Sequence, residues 1–278
     1  MTATPRRLTL AIAVLLVAGA VSAGDRENVR ADDAVRVVKQ IQGIPEASIP
    51  DRLLDDAKGI VVVPDTIKAG FMLGGRHGLG VMAMKNPDGT WSNPVFVKLS
   101  GASFGLQAGV QSADVILVFR SERGLDSIVN GKFTLGADAS VAAGPVGRNA
   151  AAATDGGLKA EIWSWSRARG LFAGVALDGA VLSIDNGANR SAYGAGVTPR
   201  MIFEGRAPQA PSAAIVGFRD ALEEATAAAR YARGGSAAPA AAAPPAPASA
   251  TGEVTVQPLE SGNAATTTPL EPATATKP

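Results

Sequence analysis

Few residues in this sequence could carry out acid–base, metal or nucleophilic chemistry. The 278 residues contain no cysteine and one histidine, His77, which lies in the glycine-rich run GFMLGGRHGLG. Metal sites usually combine several histidines, cysteines and carboxylates, so a single imidazole indicates a loop or strand-edge residue instead of a ligand. A hydrolase would have to use His77 with Ser103 and with scattered aspartates such as Asp114, Asp138 and Asp178. We therefore expect no catalytic residue, no metal site and no cofactor.

The glycine-rich run over 70–80 resembles a phosphate-binding loop only in its glycine content. It lacks the Gly-Lys-Ser/Thr ending, and it follows a predicted strand without opening a helix. The chain has 32 glycines among many short apolar runs, which indicates bulges, tight bends and closely approaching backbones. The run is thus predicted to form a hairpin with glycines at crowded positions, and most aspartates are predicted at turns or helix caps.

The segment EIWSWSRAR over 161–169 has the most distinctive binding pattern. In a strand, Trp163 and Trp165 share one face because side chains alternate. Two indoles beside Arg167 and Arg169 suit a lipid headgroup interface, where amphipathic aromatic rings collect. The alternative is that the tryptophans cover the core and the arginines are solvated. The predicted lipid-binding set is Trp163, Trp165, Arg167, Arg169, Arg148 and Lys68.

Helices are predicted on both sides of a strand-rich centre. Residues 25–42 place their apolar side chains in one arc, and Ser212 is a suitable N-cap for a last helix. Short helices are expected over 51–58 and 121–130. Short apolar runs separated by glycine occupy residues 59–184, with a hairpin turn at Asn86-Pro87-Asp88-Gly89. The predicted class is α+β: a strongly coiled, mostly antiparallel, barrel-like sheet flanked by N- and C-terminal helices.

The two ends of the chain differ from this centre. Arg6 and Arg7 precede the apolar run LTLAIAVLLVAGA, and Val21-Ser22-Ala23 supplies the small residues that a signal peptidase recognises. We predict a signal peptide over 1–23, a domain over 24–233 and a disordered Ala/Pro/Thr-rich tail over 234–278. An uncleaved anchor is the alternative, although about 13 apolar residues fall short of the ~20 that a spanning helix needs.

The predicted export signal, the lack of cysteine and the small net charge limit the classes of function that this protein could have. We expect a periplasmic or secreted bacterial protein, peripheral at a membrane surface, because the chain has an export signal and no cysteine for disulfides. Its formal net charge of +1 gives no field of the kind that holds nucleic acid.

Several short segments, taken in order, resemble one family. They are AKGI (57–60), KAGF (68–71), GTWSNP (89–94), GASFGLQAG (101–109), LGADAS (135–140), AGPVGR (143–148), SWS (164–166) and GLFAG (170–174). Each segment alone is weak, but their number and order over residues 30–205 are specific. On these residues the chain resembles a bacterial exported member of the SYLF domain family, also described as Ysc84-type actin-binding domains.

The resemblance implies lipid binding, chiefly of phosphoinositides in eukaryotic members, with an N-terminal amphipathic helix contributing and with no enzymatic activity. Some fungal members also bind actin, but neither actin nor phosphoinositides are expected partners in a bacterial periplasm. The polar face of residues 25–42 mixes Asp32 and Asp33 with Arg36 and Lys39, so its attraction to anionic lipid is small.

The predicted function is a non-enzymatic lipid- or phospholipid-binding protein of the bacterial cell envelope. Its expected partner is an anionic phospholipid or another envelope lipid. The alternative is a structural or protein-interaction module without a lipid ligand, in which the tail connects the domain to an envelope protein.

Overall fold

The computed structural model describes residues 24–44, 48–146, 160–168 and 170–234, with the backbone alone for 71–73 and 103–109. The predicted signal peptide lies outside the described residues. So does the predicted tail, apart from Gly234. The segment division at both ends therefore stays a prediction.

Two long antiparallel strands, β1 (Gly59–Met84) and β2 (Val95–Phe119), form the centre of the fold. Their register runs from Gly59 opposite Phe119 to Met82 opposite Val95. The predicted turn at 86–89 connects them, with the Gly89 amide donating to the Asn86 carbonyl at 2.9 Å. Each long strand joins several of the predicted short apolar runs, because register shifts after Val63 and Gly70 bend the paired strands without ending them.

Five shorter strands complete a seven-stranded sheet. They are β3 (Lys132–Thr134), β4 (Val141–Ala143), β5 (Ile162–Ala168), β6 (Leu171–Gly174) and β7 (Val181–Ile184). The path runs β3-β7-β2-β5-β4, while β1 pairs with β2 and β6 pairs with β5. Among the described pairs, β4 with β5 is the parallel one. The sheet curls into a half-barrel, which confirms the predicted coiled, mostly antiparallel sheet.

Six described helices surround this sheet. They are α1 (Asp25–Gln42), α2 (Asp51–Asp55), α3 (Glu122–Val129), α4 (Asn186–Tyr193), α5 (Pro199–Phe203) and α6 (Ala213–Ala232). The predicted apolar arc of α1 is confirmed, since Ala31, Val37 and Ile41 are buried. Ser212 caps α6 as expected, accepting a hydrogen bond from the Ile215 amide. The α+β class with helices on both sides is therefore confirmed.

The prediction contained no helix at α4 or α5. Both have signals in the sequence: the Asp185 carboxylate caps α4 by accepting from the Ala188 amide, and Thr198 caps α5 just before a proline. In the part of the chain that the structure covers, none of the helices combines the length and apolar character needed to cross a bilayer.

Candidate functional site

The two tryptophans of the predicted lipid-binding set lie on β5 and are buried in the core. Trp163 and Trp165 share one face of the strand, as expected, and stand opposite Val118 and Ile116 of β2. The Trp165 indole N–H donates to the Pro145 carbonyl at 3.0 Å. Their positions agree with the alternative interpretation, in which the tryptophans cover the core, because neither indole is free to enter a headgroup layer.

Arg167 lies on the same strand and is held by neighbouring side chains. Its Nε is 3.2 Å from Oδ2 of Asp114, and its guanidinium stacks over the Phe172 ring at 5.5 Å. It also donates a hydrogen bond to the Gln40 side chain of α1. The expectation of a solvated arginine is corrected here, because these contacts leave the side chain only partly exposed.

The other members of the predicted set are not brought together by the described structure. Lys68 is half-buried on β1, opposite Gln111 of β2. Arg148 and Arg169 lie outside the described residues. The lipid-binding role of the set therefore stays a prediction.

Asp114 is a buried strand residue, which corrects its predicted place at a turn or cap. Its side chain is 4% exposed, and its Oδ1 accepts from the Asp65 amide at 3.1 Å. Asp65 has a φ of 45° at the first irregularity of β1, a left-handed conformation that aspartate tolerates. Arg36 of α1 lies 3.3 Å from Asp65 and 3.7 Å from Asp114. The cluster thus connects α1, β1, β2 and β5.

A cleft of about 460 Å³ lies beside this cluster, between α1, β1 and the start of α4. It is lined by Arg26, Glu27, Val29, Arg30, Asp33, Pro64, Asp65, Ile67, His77, Gly78, Leu79, Asp185 and Ala188. Three of these side chains are large, apolar and exposed: Val29 at 61%, Ile67 at 51% and Leu79 at 42%. These three side chains, called the apolar rim below, line the cleft together with charged side chains, which is an arrangement expected for an amphipathic ligand.

Asp185 is the most constrained carboxylate of the cleft. Burial alone would raise the pKa of Asp185, but the Ala188 amide, Lys98 and Arg30 together outweigh burial and hold the pKa below its ordinary value. Arg30 and Lys98 each approach an oxygen of this carboxylate at 3.1 Å. This residue therefore stays ionised and orients Arg30.

Arg30 brings a buried cation to the same cleft. Its side chain is 11% exposed, and its guanidinium lies 5.3 Å from the centre of the Phe96 ring. Its Nη1 is a buried donor that has no hydrogen-bond acceptor within the described part of the chain. Arg30 thus places a positive charge, paired with Asp185, at the wall of the cleft.

His77 lines the cleft together with its charged side chains. It is exposed on β1, and no described carboxylate lies within ion-pairing or hydrogen-bonding distance of it. Ser103 stands in a Gly-x-Ser-x-Gly sequence, GASFG, but this lies inside β2 opposite Gly74, not at the strand-to-helix turn that such a nucleophile needs. The described residues also include no group of three or more side chains suited to holding a metal ion.

Sequence reasoning missed the apolar rim of the cleft. Val29 lies outside the predicted apolar arc of the first helix, and an apolar residue on a polar face is a signal that could have been used. Ile67 and Leu79 belong to a strand that alternates between faces, so the sequence could not say which face would stay uncovered.

Comparison with known proteins identifies the domain. A family model described as "Las17-binding protein actin regulator" (Ysc84) matches residues 100–225, from β2 into α6. Protein YSC84 of Saccharomyces cerevisiae is 40% identical over 169 residues, which cover 59% of this chain and 36% of the yeast protein. LAS seventeen-binding protein 3 of the same species is 37% identical over 167 residues, covering 59% of this chain and 36% of that protein.

A human relative extends the match beyond fungi. The SH3 domain-containing YSC84-like protein 1 of Homo sapiens is 33% identical over 150 residues, covering 54% of this chain and 44% of the human protein. The chain thus spans less than half the length of these three relatives. The matched sequence and the curled α+β fold together show that the chain belongs to the SYLF (Ysc84) domain family.

Proposed function

We propose that this protein is a non-enzymatic lipid-binding protein that docks on a membrane surface through the cleft between α1, β1 and α4. The observation that carries the proposal is the apolar rim formed by Val29, Ile67 and Leu79. Single exposed apolar residues are common on soluble proteins, but three around one charged cleft form a continuous amphipathic surface.

Membrane docking gives each part of this surface a role. The rim side chains would enter the boundary between headgroups and acyl chains, while the charged side chains that line the cleft would face the headgroups. Burying one methylene contributes about 0.8 kcal/mol, so three medium-sized apolar side chains supply useful affinity without a membrane-spanning helix.

Vesicle co-sedimentation of the purified full chain tests this proposal. The triple variant Val29→Ser, Ile67→Thr, Leu79→Thr should bind at least about tenfold more weakly than wild type, because it removes several buried methyl and methylene groups. The threonines keep β-branched side chains in β1, so the fold should persist.

A matched control removes exposed apolar groups elsewhere. Leu171 on β6 and Tyr231 on α6 are 71% and 73% exposed and do not line the cleft. The double variant Leu171→Thr, Tyr231→Ser should sediment like wild type. Failure of wild type to sediment with any phospholipid vesicle would contradict the proposed function, and equal loss in both variants would contradict the assigned surface.

We also propose export to the cell envelope, on the strength of the cationic start, apolar run and small residues of segment 1–23. The expected result is a mature protein that begins at Gly24 and is released with the periplasm or the medium. Intact-mass measurement after cell fractionation checks this expectation. An uncleaved chain in the cytoplasmic fraction would contradict it.

A protein-interaction module is the second candidate. The matching family model and one yeast relative are named for Las17 binding, and the described domain has a second cleft of about 470 Å³ between α1 and α6. Small side chains such as Ala225 and Ala229 line this cleft and would admit a partner segment. Cross-linking in envelope extracts, with Ala225→Glu compared against Asp32→Asn, would show a partner whose capture depends on this groove.

A further inference from the structure

The headgroup chemistry of the ligand follows from the charges around the cleft. Four carboxylates line it, those of Glu27, Asp33, Asp65 and Asp185, together with the cations Arg26 and Arg30. Two more cations bind these carboxylates from outside: Arg36 lies 3.3 Å from Asp33 and from Asp65, and Lys98 lies 3.1 Å from Asp185. Four positive and four negative side chains leave no net charge to attract an anionic membrane.

Positive and negative side chains are nevertheless accessible to a ligand at different places in the cleft. Arg26 is exposed and makes no hydrogen bond or ion pair with another described residue. Arg30 is a second cation of the cleft, but it is buried and paired with Asp185 at 3.1 Å. On the other side, Asp33 and Asp65 share the single guanidinium of Arg36, and the Asp65 side chain is 67% exposed.

We propose that the cleft binds a zwitterionic phospholipid headgroup of the phosphatidylethanolamine type, which deepens and rests on the proposed membrane-binding function. The phosphate accepts hydrogen bonds from the exposed guanidinium of Arg26, and the ammonium group donates to the exposed carboxylate of Asp65. The acyl chains lie against the apolar rim of Val29 and Leu79. The negative phosphate and the positive ammonium group of the ligand thus match the positive Arg26 and the negative Asp65 of the protein.

The first measurement is lipid preference of the wild-type full chain. Vesicles of phosphatidylcholine mixed equally with phosphatidylethanolamine should bind at least as tightly as vesicles in which phosphatidylglycerol replaces the phosphatidylethanolamine. Affinity for the zwitterionic vesicles should change less than about twofold between roughly 50 and 300 mM NaCl, because no net charge is involved. Binding only to phosphatidylglycerol vesicles, with a steep loss in salt, would overturn the proposal and leave the proposed membrane-binding function standing.

The second measurement is the response to neutralising each charge. Asp65→Asn should weaken binding to phosphatidylethanolamine vesicles about two- to fivefold, since a partly exposed ion pair is lost, yet strengthen binding to phosphatidylglycerol vesicles by removing repulsion. Asparagine tolerates the left-handed backbone at this position, so folding should be kept. Arg26→Gln should weaken binding to both kinds of vesicle.

Matched controls neutralise the same charges outside the cleft. Asp32→Asn on α1 and Arg123→Gln on α3 lie away from the cleft lining and should behave like wild type. An Asp65→Asn variant that binds phosphatidylethanolamine vesicles as well as wild type would overturn the proposed headgroup. Absence of wild-type binding to every vesicle would instead overturn the membrane-binding function, and the headgroup assignment with it.

Discussion

Gly80 and Gly78 lie where β1 passes over its own first residues, with no space for a side chain. A Cβ at Gly80 would lie 2.3 Å from the Val62 carbonyl oxygen and 2.9 Å from the Val63 Cα, and backbone atoms cannot rotate away. A Cβ at Gly78 would meet the Val63 and Thr66 side chains at 2.5 and 2.6 Å. The curl of the sheet therefore depends on glycine at these positions.

Substituting Gly80 tests this dependence. Gly80→Ala should lower the free energy of unfolding by about 1–3 kcal/mol, as overpacking does, and reduce the melting temperature by roughly 2–4 °C per kcal/mol. Gly75→Ala is the control, because a Cβ there has no atom within 4 Å and its φ is not positive. Thermal unfolding followed by circular dichroism compares the two, and equal melting temperatures would show that β1 does not close over itself.

The charge of Asp185 predicts a pH dependence of stability. Its pKa is held below the ordinary value in the folded protein, so its ionised form stabilises the fold above about pH 4, the usual range of an unfolded aspartate. That contribution is lost as the pH falls through the lower, folded pKa. Asp185→Asn keeps an oxygen for the Ala188 amide and removes only the charge.

The Asp185→Asn variant should thus be less stable than wild type at pH 7, and the difference should shrink as the pH falls below about 4. Urea unfolding of both proteins at several pH values measures this difference. A gap that stays constant or widens in acid would mean that Arg30 and Lys98 do not stabilise the carboxylate.

At the scale of elements, the buried carboxylate of Asp114 holds the first helix on the sheet. It is the common partner of Arg36 from α1 and Arg167 from β5, and it accepts from the Asp65 amide in β1. Breaking a buried ion pair on one side leaves its cations uncompensated, which costs more than the pair itself contributes. Asp114 therefore helps to position α1, and with it the wall of the cleft, together with the buried apolar face of the helix and the Arg30–Asp185 pair.

Asp114→Asn should lower the free energy of unfolding by about 1–3 kcal/mol, because Arg167 loses its carboxylate partner and Arg36 keeps only Asp33 and Asp65. Asp220→Asn is the matched control, since the pair between Asp220 and Arg219 is exposed and should change stability by less than about 0.5 kcal/mol. Hydrogen exchange should also show faster opening of α1 in Asp114→Asn alone. Unchanged hydrogen exchange in α1 would show that Asp114 does not position this helix.

At the scale of the whole molecule, the described residues form a core that needs no disulfide or metal. Buried apolar side chains from α1, both long strands and α6 meet in one cluster. Asp55 forms ion pairs with Arg230 and Arg233, and these pairs join α2 to the end of α6. A cysteine-free domain of this size can be stabilised by its apolar core alone.

The composition of the last segment gives a prediction at this scale. Residues 234–278 have few large apolar side chains, so we predict that apolar burial in this segment does not offset the entropy cost of folding. Brief digestion of the full chain with proteinase K should remove most of this segment and leave a fragment ending near Gly234 with an unchanged melting temperature. Mass spectrometry identifies the fragment, and resistance of the segment to digestion would contradict the prediction.

Local sequence patterns determine much of this protein's secondary structure. The apolar arc of α1, the cap at Ser212 and the turn at 86–89 depend on neighbouring residues, and each is found as predicted. The class and the curled antiparallel sheet followed from glycine spacing. The family was recognised from short ordered segments and is supported by the matching relatives.

Tertiary structure alone decided which faces of the strands are buried and which charged side chains form pairs. The tryptophans of β5 face the core because β2 and Gly144 cover them, and no local pattern distinguishes that face from the other. Asp114 forms buried ion pairs because the fold brings Arg36 of α1 and Arg167 of β5 to it from distant positions in the chain. The cleft exists only where helix and strands meet, so the exposure of Ile67 and Leu79 on its rim could be recognised only in the folded structure.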